Sequence, residues 1–314
     1  MDSVYPLWLE NALQTLATGV LVGGAYALMC VGLGLIFGVM RVINFAQGDF
    51  MMLGMYGAFY LFTYLGIGTV FGVYVGPVVA AFLAGPLVFV IAWVLHRLLL
   101  SRVSGTAAHG VEGEGHYAQL ILTLGIALVL QNGGLIVFGS WPQSVRTPLS
   151  KEAWLLGPVF LNQSRVIAFA VAVGLALLLY LFLNLSSLGK ALRAAADNSE
   201  AAIYMGIDVD RAHRLAFAIG IALTAVAGGL VAMYYPFQPY VGLDFVIIMY
   251  TGVVLGGLGS IMGAFWGGMT VGLVQQLSTL ILPIQLQNTA IFVVFVGIIM
   301  FRPQGLFGRS AERV

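Results

Sequence analysis

The segment Val166–Leu183, VIAFAVAVGLALLLYLFL, runs for eighteen residues without a charged side chain. Lipid offers no hydrogen-bond partner to a bare backbone amide, so a segment that crosses a bilayer is a helix or a strand of a closed barrel. Barrel strands alternate lipid-facing and lumen-facing side chains, and their hydropathy alternates with them. This segment does not alternate, which predicts a helix. At about 1.5 Å per residue it covers about 27 Å, close to the ~30 Å hydrocarbon core of a membrane.

Comparable apolar runs lie near 13–39, 48–65, 70–95, 117–138, 215–233, 243–258, 261–282 and 288–301. They predict an all-α integral membrane protein, a polytopic bundle of about eight to ten transmembrane helices, forming a single transmembrane domain over 1–314. The 48–65 and 243–258 runs are glycine-rich and bordered by polar residues, so either is expected as a broken or re-entrant helix. Composition agrees: hydrophobic residues make up 61% and charged residues 8%, where a soluble domain carries roughly 25% charged residues. The amino terminus, with Asp2 and Glu10, lacks the basic start of a signal peptide.

Lysine and arginine concentrate in cytoplasmic connections. If 185–214 faces the cytoplasm, that side holds Arg41, Arg97, Arg102, Lys190, Arg193, Arg211, Arg214, Arg302, Arg309 and Arg313, and the other only Arg146, Lys151 and Arg165. Ten against three sets the amino terminus outside and the carboxy terminus in the cytoplasm, and nine spans satisfy this best. The expected location is the inner membrane of a bacterium. His96 and Arg97 end a span and read as snorkelling interfacial residues.

The lone Cys30 excludes an intrachain disulfide and a multi-cysteine metal site. His109 and His116 lie in a polar loop without metal-ligand spacing, so no metal is expected. Forty-one glycines suit close helix packing, with small-xxx-small spacing at Gly19–Gly23, Gly34–Gly38, Gly252–Gly256 and Gly268–Gly272.

The most polar stretch is GKALRAAADNSEAAIYMGIDVDRAHR at Gly189–Arg214. Its centre, Leu192–Met205, is rich in alanine, leucine and methionine and predicts one short helix outside the hydrocarbon, closed by Gly206 in a left-handed cap. A helix with alanine on one face and the carboxylates Asp197 and Glu200 on another can seat in a partner's groove. Glu200-Ala201-Ala202-Ile203-Tyr204-Met205-Gly206 resembles the E-A-A-x-x-x-G pattern of ABC importer permeases, though the distal I-x-L-P of the longer pattern is absent. Gly23–Leu28 with Gly38–Asp49 (GVMRVINFAQGD), Val254–Ala264 (VLGGLGSIMGA) and Arg302–Gly308 (RPQGLFG) are similar, in order, to branched-chain amino-acid ABC transporter permeases of the LivH type. Gln47 stands where histidine is common in that family.

The resemblance implies a subunit that moves a small polar solute, by family default a branched-chain or related amino acid, from a periplasmic binding protein into the cytoplasm by alternating access. It implies a second related permease, two cytoplasmic ATPase subunits and a solute-binding protein as partners, with no nucleic acid. Coupling to the ATPases would run through the cytoplasmic loop at about 187–214, by Asp197, Glu200, Ala201, Ala202 and Gly206. The chain has no G-x-x-x-x-G-K-[ST] loop, so ATP and magnesium would bind partner subunits and no cofactor is expected in this chain.

Polar residues between spans mark a solute path. The richest group is Asn44, Phe45, Gln47 and Asp49, where Asn44 and Gln47 can exchange hydrogen bonds with a solute, or where Asn44 and Asp49 serve as helix caps. Gln131–Asn132 and Gln275–Gln276 are expected to tie helices together, and Asp244 to cap one. The alternative reading is an ion-coupled secondary transporter or channel acting alone. It calls for an intramembrane ionisable relay, which the spans lack. An enzyme would need clustered acid, base and nucleophile, and none is apparent.

Overall fold

The structure, a computed structural model, describes residues 6–103, 114–302 and 304–307. Its elements in chain order are α1 Leu7–Met40, α2 Gln47–Thr63, the short α3 Ile67–Val70, α4 Gly72–Leu98, α5 Glu114–Phe138, the short α6 Pro148–Lys151, a hairpin of β1 Ala153–Leu156 and β2 Val159–Asn162, α7 Gln163–Leu185, α8 Ser187–Asp197, α9 Ser199–Tyr204, α10 Val209–Val231, α11 Val241–Gly256, α12 Ile261–Ser278 and α13 Gln287–Phe301. The two antiparallel strands pair Ala153 with Asn162 and Leu156 with Val159.

Among the described residues six segments are long and apolar enough to cross a membrane: α1, α4, α5, α7, α10 and the segment Ile284–Phe301 containing α13. Three further membrane-scale helices complete the bundle, the short α2 and α11 with 17 and 16 residues and α12 with 18. Their shortness has a physical reason. α2 and α11 pack against each other, α2 also against α10 and α4 and α11 against α1 and α12, so protein rather than lipid surrounds much of their surface. A shielded helix need not match the bilayer thickness. The chain is a multi-pass helical membrane protein with nine membrane-scale helices among the described residues.

Neighbours exchange as they would under an internal twofold axis. α1 packs on α12 as α10 packs on α4, and α2 packs on α4 as α11 packs on α12. α1 meets α10 and α2 meets α11 directly. The first turns of α2 and α11 carry Asp49 and Asp244 respectively.

Small residues permit these crossings. A methyl group built on Gly272 of α12 would strike the Gly23 backbone of α1, and one on Gly268 would meet the Ala27 backbone 2.6 Å away. A comparably tight crossing joins the first turns of α2 and α11: a methyl on Gly48 would collide with the carbonyl oxygen of Gly242, and one on Gly242 would lie 2.7 Å from the Gly48 carbonyl carbon.

The bundle has two distinct faces. One carries the β-hairpin: Gln14 of α1 both donates to and accepts from the Phe160 backbone, at 2.9 and 2.8 Å, and Gln143 bridges Phe237. The opposite face carries α8 and α9. There Arg41 donates to the Ala196 carbonyl at 3.5 Å, and the tail pairs with the end of α11 through Leu306 N–H to Leu255 O, 2.7 Å. Arg309 and Arg313 lie outside the described residues, as does His109.

Two expectations need correction. The polar segment holds two helices, not one, because Asn198 breaks the run: its backbone is extended and its Oδ1 accepts from Ala201 N–H at 3.0 Å, capping α9. His96 does not snorkel. It is fully buried, packed 5.5 Å from the Phe217 ring, because α4 ends against the start of α10. Arg97 alone remains exposed.

Overpacking a tight crossing costs about 1–3 kcal/mol or more, whereas an alanine in open helical space gains up to about 1 kcal/mol over glycine. Gly48→Ala is therefore expected to lower the melting temperature of the purified protein by several degrees. Gly174→Ala, on α7 with no atom within 4 Å of the new methyl, is expected to leave it unchanged or raise it. A thermal-shift comparison in one detergent checks both.

Candidate functional site

Between α1 and α2 the helix stops and restarts inside the bundle. Arg41 adopts a left-handed backbone, φ 54°, the one positive φ of a non-glycine residue among the described residues. That reverses the chain at the α8–α9 face, and residues 42–46 then run back into the protein. Asn44 Oδ1 accepts from Ala46 N–H at 3.2 Å, and Asn44 Nδ2 donates to Gln47 Oε1 at 3.0 Å. Gln47 Nε2 donates to Thr224 Oγ1 at 2.6 Å, and Thr224 donates on to the Gly220 carbonyl at 3.0 Å. Thr224 lies fifteen residues beyond Val209, where α10 begins, or about 22 Å along the helix. The 44–47 turn therefore sits deep in the bundle and not at its surface.

The four path candidates have different surroundings. Asn44 and Gln47 are fully buried and occupied by each other and by α10. Asp49 is buried at the first turn of α2, where its carboxylate takes a hydrogen bond from Gln131 of α5 and its Oδ1 faces the Gly242 backbone. The first turns of α2 and α11 both lie beside that carboxylate. Phe45 is 42% exposed, near the Tyr250 ring at 6.0 Å, with its N–H held by Thr123 of α5 at 3.4 Å. Phe45 and the half-exposed Ile43 turn outward from the bundle. Neither Asn44 nor Asp49 is an N-cap in the strict sense: α2 starts from Ala46 with no side-chain cap.

The second candidate region is α8–α9. Leu192, Ala195 and Ala202 are buried against α1, α7 and α10, while Asp197, Glu200, Ala201 and Gly206 are exposed. Gly206 has φ +80°, the left-handed closure expected of it. Past the buried Ala202, the segment ends in a cluster no sequence pattern singled out: Ile203, Tyr204 and Met205 all face outward, Tyr204 at 89%. The x-x-x of the E-A-A-x-x-x-G pattern conceals it.

On the hairpin face a cavity of about 360 Å³ opens between α1, α7, α11, α12 and α13. Tyr26 donates to Gln275 Oε1 at 2.8 Å, and Gln275 reaches Asn288 at 3.5 Å, so Gln275 ties three helices together. Arg165 stacks over Tyr234 at 5.5 Å. Burial pushes the phenols of Tyr234 and Tyr235 above their ordinary range, for Tyr235 with help from the Asp244 carboxylate, so both remain neutral hydrogen-bonding groups. Among the described residues no three His, Cys, Asp or Glu side chains converge as metal ligands.

A helical membrane protein whose inner helices start at mid-depth, with a polar cavity on one face and an exposed helical pair on the other, has the build of a transport permease. Sequence comparison gives the particular family. Residues 15–302 match the family model described as branched-chain amino acid transport system / permease component. The chain is 31% identical over 313 residues to the high-affinity branched-chain amino acid transport system permease protein LivH of Escherichia coli K12, covering 96% of this chain and 97% of LivH. It is also 31% identical to BraD of Pseudomonas aeruginosa, named for the same kind of system, covering 96% and 98%. The chain belongs to this family of transport-system permease components, which are membrane subunits and not enzymes. Among solved structures, PsaBC from Streptococcus pneumoniae in complex with Fab aligns over 95% of this chain and 93% of its own at 16% identity, with a TM-score of 0.41, too low to support any argument.

Removing one partner of a buried hydrogen bond leaves the other unsatisfied, at about 1–3 kcal/mol. Thr224→Val is expected to destabilise the protein by that amount, because Gln47 Nε2 keeps no acceptor. Gln47→Met removes that stranded amide but also takes the acceptor from Asn44 Nδ2, so the double variant is expected to lose less than the sum of the two single losses. Additive losses in thermal unfolding of the three variants would contradict the pairing.

Proposed function

We propose that this chain is the membrane-spanning half of an ATP-driven importer that passes a branched-chain amino acid or a related small polar solute inward. The α8–α9 face is cytoplasmic on this reading, since eight of the described Lys and Arg residues cluster there (Arg41, Arg97, Arg102, Lys190, Arg193, Arg211, Arg214 and Arg302) against Arg146, Lys151 and Arg165 on the hairpin face. The carboxy-terminal tail then lies in the cytoplasm, and the hairpin face meets a periplasmic solute-binding protein. A second, related permease and two ATPase subunits complete the complex, with ATP and magnesium held by the ATPases.

The observation that carries the proposal is the exposed tip of α9. A monomer gains nothing by holding Ile203, Tyr204 and Met205 in water beside Glu200, and such a cluster suits a groove on a partner. Leu192, Ala195 and Ala202 grip the bundle on the other side. A push on α9 therefore travels through α8 to the ends of α1 and α10, and through the Arg41–Ala196 contact to the segment that leads to Gln47. Closing and opening of the ATPases would thus reach the mid-bundle turn by direct packing, and alternating access is the mechanism this connection supports.

Glu200→Arg and Gly206→Pro test the coupling. Proline fixes φ near −65°, which the +80° of Gly206 cannot satisfy. Both variants are expected to reach the membrane, to lose ATP-dependent uptake and to co-purify with less ATPase subunit. Unaltered uptake and unaltered recovery in both would sink the assignment.

A further inference from the structure

The cavity on the hairpin face has a composition that packing and hydrogen bonding between helices do not explain. On α7, Arg165 places a guanidinium on its wall, and on α11, Asp244 places a carboxylate there. The two ion pairs among the described residues are Asp208–Arg211 and Asp210–Arg214, both on the opposite face. Arg165 and Asp244 thus bring opposite charges to one cavity lining without forming an ion pair. The lining also includes the neutral donors and acceptors Tyr26 and Gln275 and the apolar Phe245 and Ile284. Tyr26 meets Phe245 edge to face at 5.9 Å, which gives the floor a fixed aromatic corner.

We infer that this cavity is a binding site for a zwitterionic α-amino acid, with Arg165 facing the α-carboxylate, Asp244 the α-ammonium, and the Phe245–Ile284 side receiving an apolar side chain. A guanidinium suits a carboxylate by its planar array of donors. At about 360 Å³ the space stands near the lower end of small-molecule sites, which run from about 300 Å³, so it fits a solute of amino-acid size. Two exposed or half-exposed charges held apart give a shallow, reversible grip, as a transit site requires. The inference rests on the importer reading and names the first station of the path, on the side where a binding protein would release its solute. Asp244 and Gln275 then act on solute as well as on structure.

The test uses the full complex in native membrane vesicles, with Gln285→Cys placed on the cavity lining as a reporter. Cys30, the native cysteine, is buried. Labelling of the reporter by an impermeant thiol reagent from the hairpin side is followed with leucine, leucinamide (no carboxylate) or 4-methylpentanoate (no amine) as the probe. Millimolar leucine is expected to slow labelling about threefold or more, as mass action gives when its concentration exceeds the Kd, and the two analogues are expected not to. Arg165→Gln and Asp244→Asn are each expected to abolish protection by leucine. Protection that survives both substitutions would overturn the charge assignment. Absence of protection in vesicles that still take up leucine with ATP would overturn the site and leave the importer reading intact. Absence of both protection and ATP-driven leucine uptake would overturn the two together.

Discussion

Gly48 and Gly242 bring the first turns of α2 and α11 into backbone contact inside the bundle, and the remaining architecture accommodates that contact. Helix starts leave amide N–H groups without intrahelical partners, and in a membrane such groups must be satisfied or shielded by protein. α2 and α11 therefore begin where α1, α10, α4 and α12 enclose them, and both are short because protein surrounds them. The chain uses six residues, 41–46, to return from the end of α1 to this depth, starting from the left-handed Arg41 and ending in the turn at 45–46. Asn44, Gln47 and Thr224 fix the path by hydrogen bonds, and Thr123 holds it from the α5 side.

This arrangement joins a rigid frame to a segment able to move. Crossings built on glycine and alanine allow close backbone approach and few interlocked side chains, so helices can shift as units. The 41–46 segment is anchored at one end near α8 and at the other on α10, and its Ile43–Phe45 side carries no tight packing. Motion of α8 and α9 relative to α10 would change the angle at which that segment enters the bundle. The polar cavity lies on the far side of the same α2–α11 junction, lined by the first turn of α11. One junction therefore separates the two faces.

Much of this was legible in the sequence. The long apolar runs located every membrane-scale helix to within a few residues, because an unbroken run leaves a helix as its one stable solution in lipid. The resemblance of GVMRVINFAQGD and the later blocks agrees with the family match. Depth was not legible: the partner that places Gln47 is Thr224, 177 residues away, and no local pattern carries that distance. The break at Asn198 is masked in the sequence by a run of good helix formers on either side of a strong N-cap. His96 looked interfacial from its position at the end of a span, but the neighbour that buries it, Phe217, comes from another helix. The cavity draws Arg165, Asp244, Gln275 and Asn288 from four helices. Polar residues on apolar spans flagged Gln275 and Asp244, while Arg165 was counted with the loop charges.

On the importer reading, the segment beside the mid-bundle junction lines a path whose access changes with the ATP cycle. Phe45→Cys, labelled by an impermeant thiol reagent applied from the α8–α9 face, measures this most directly. The account predicts that the cysteine reacts in the resting complex and becomes protected when the ATPases are trapped closed with ATP and vanadate. Equal reactivity in the two states, with ATP hydrolysis intact, would contradict it.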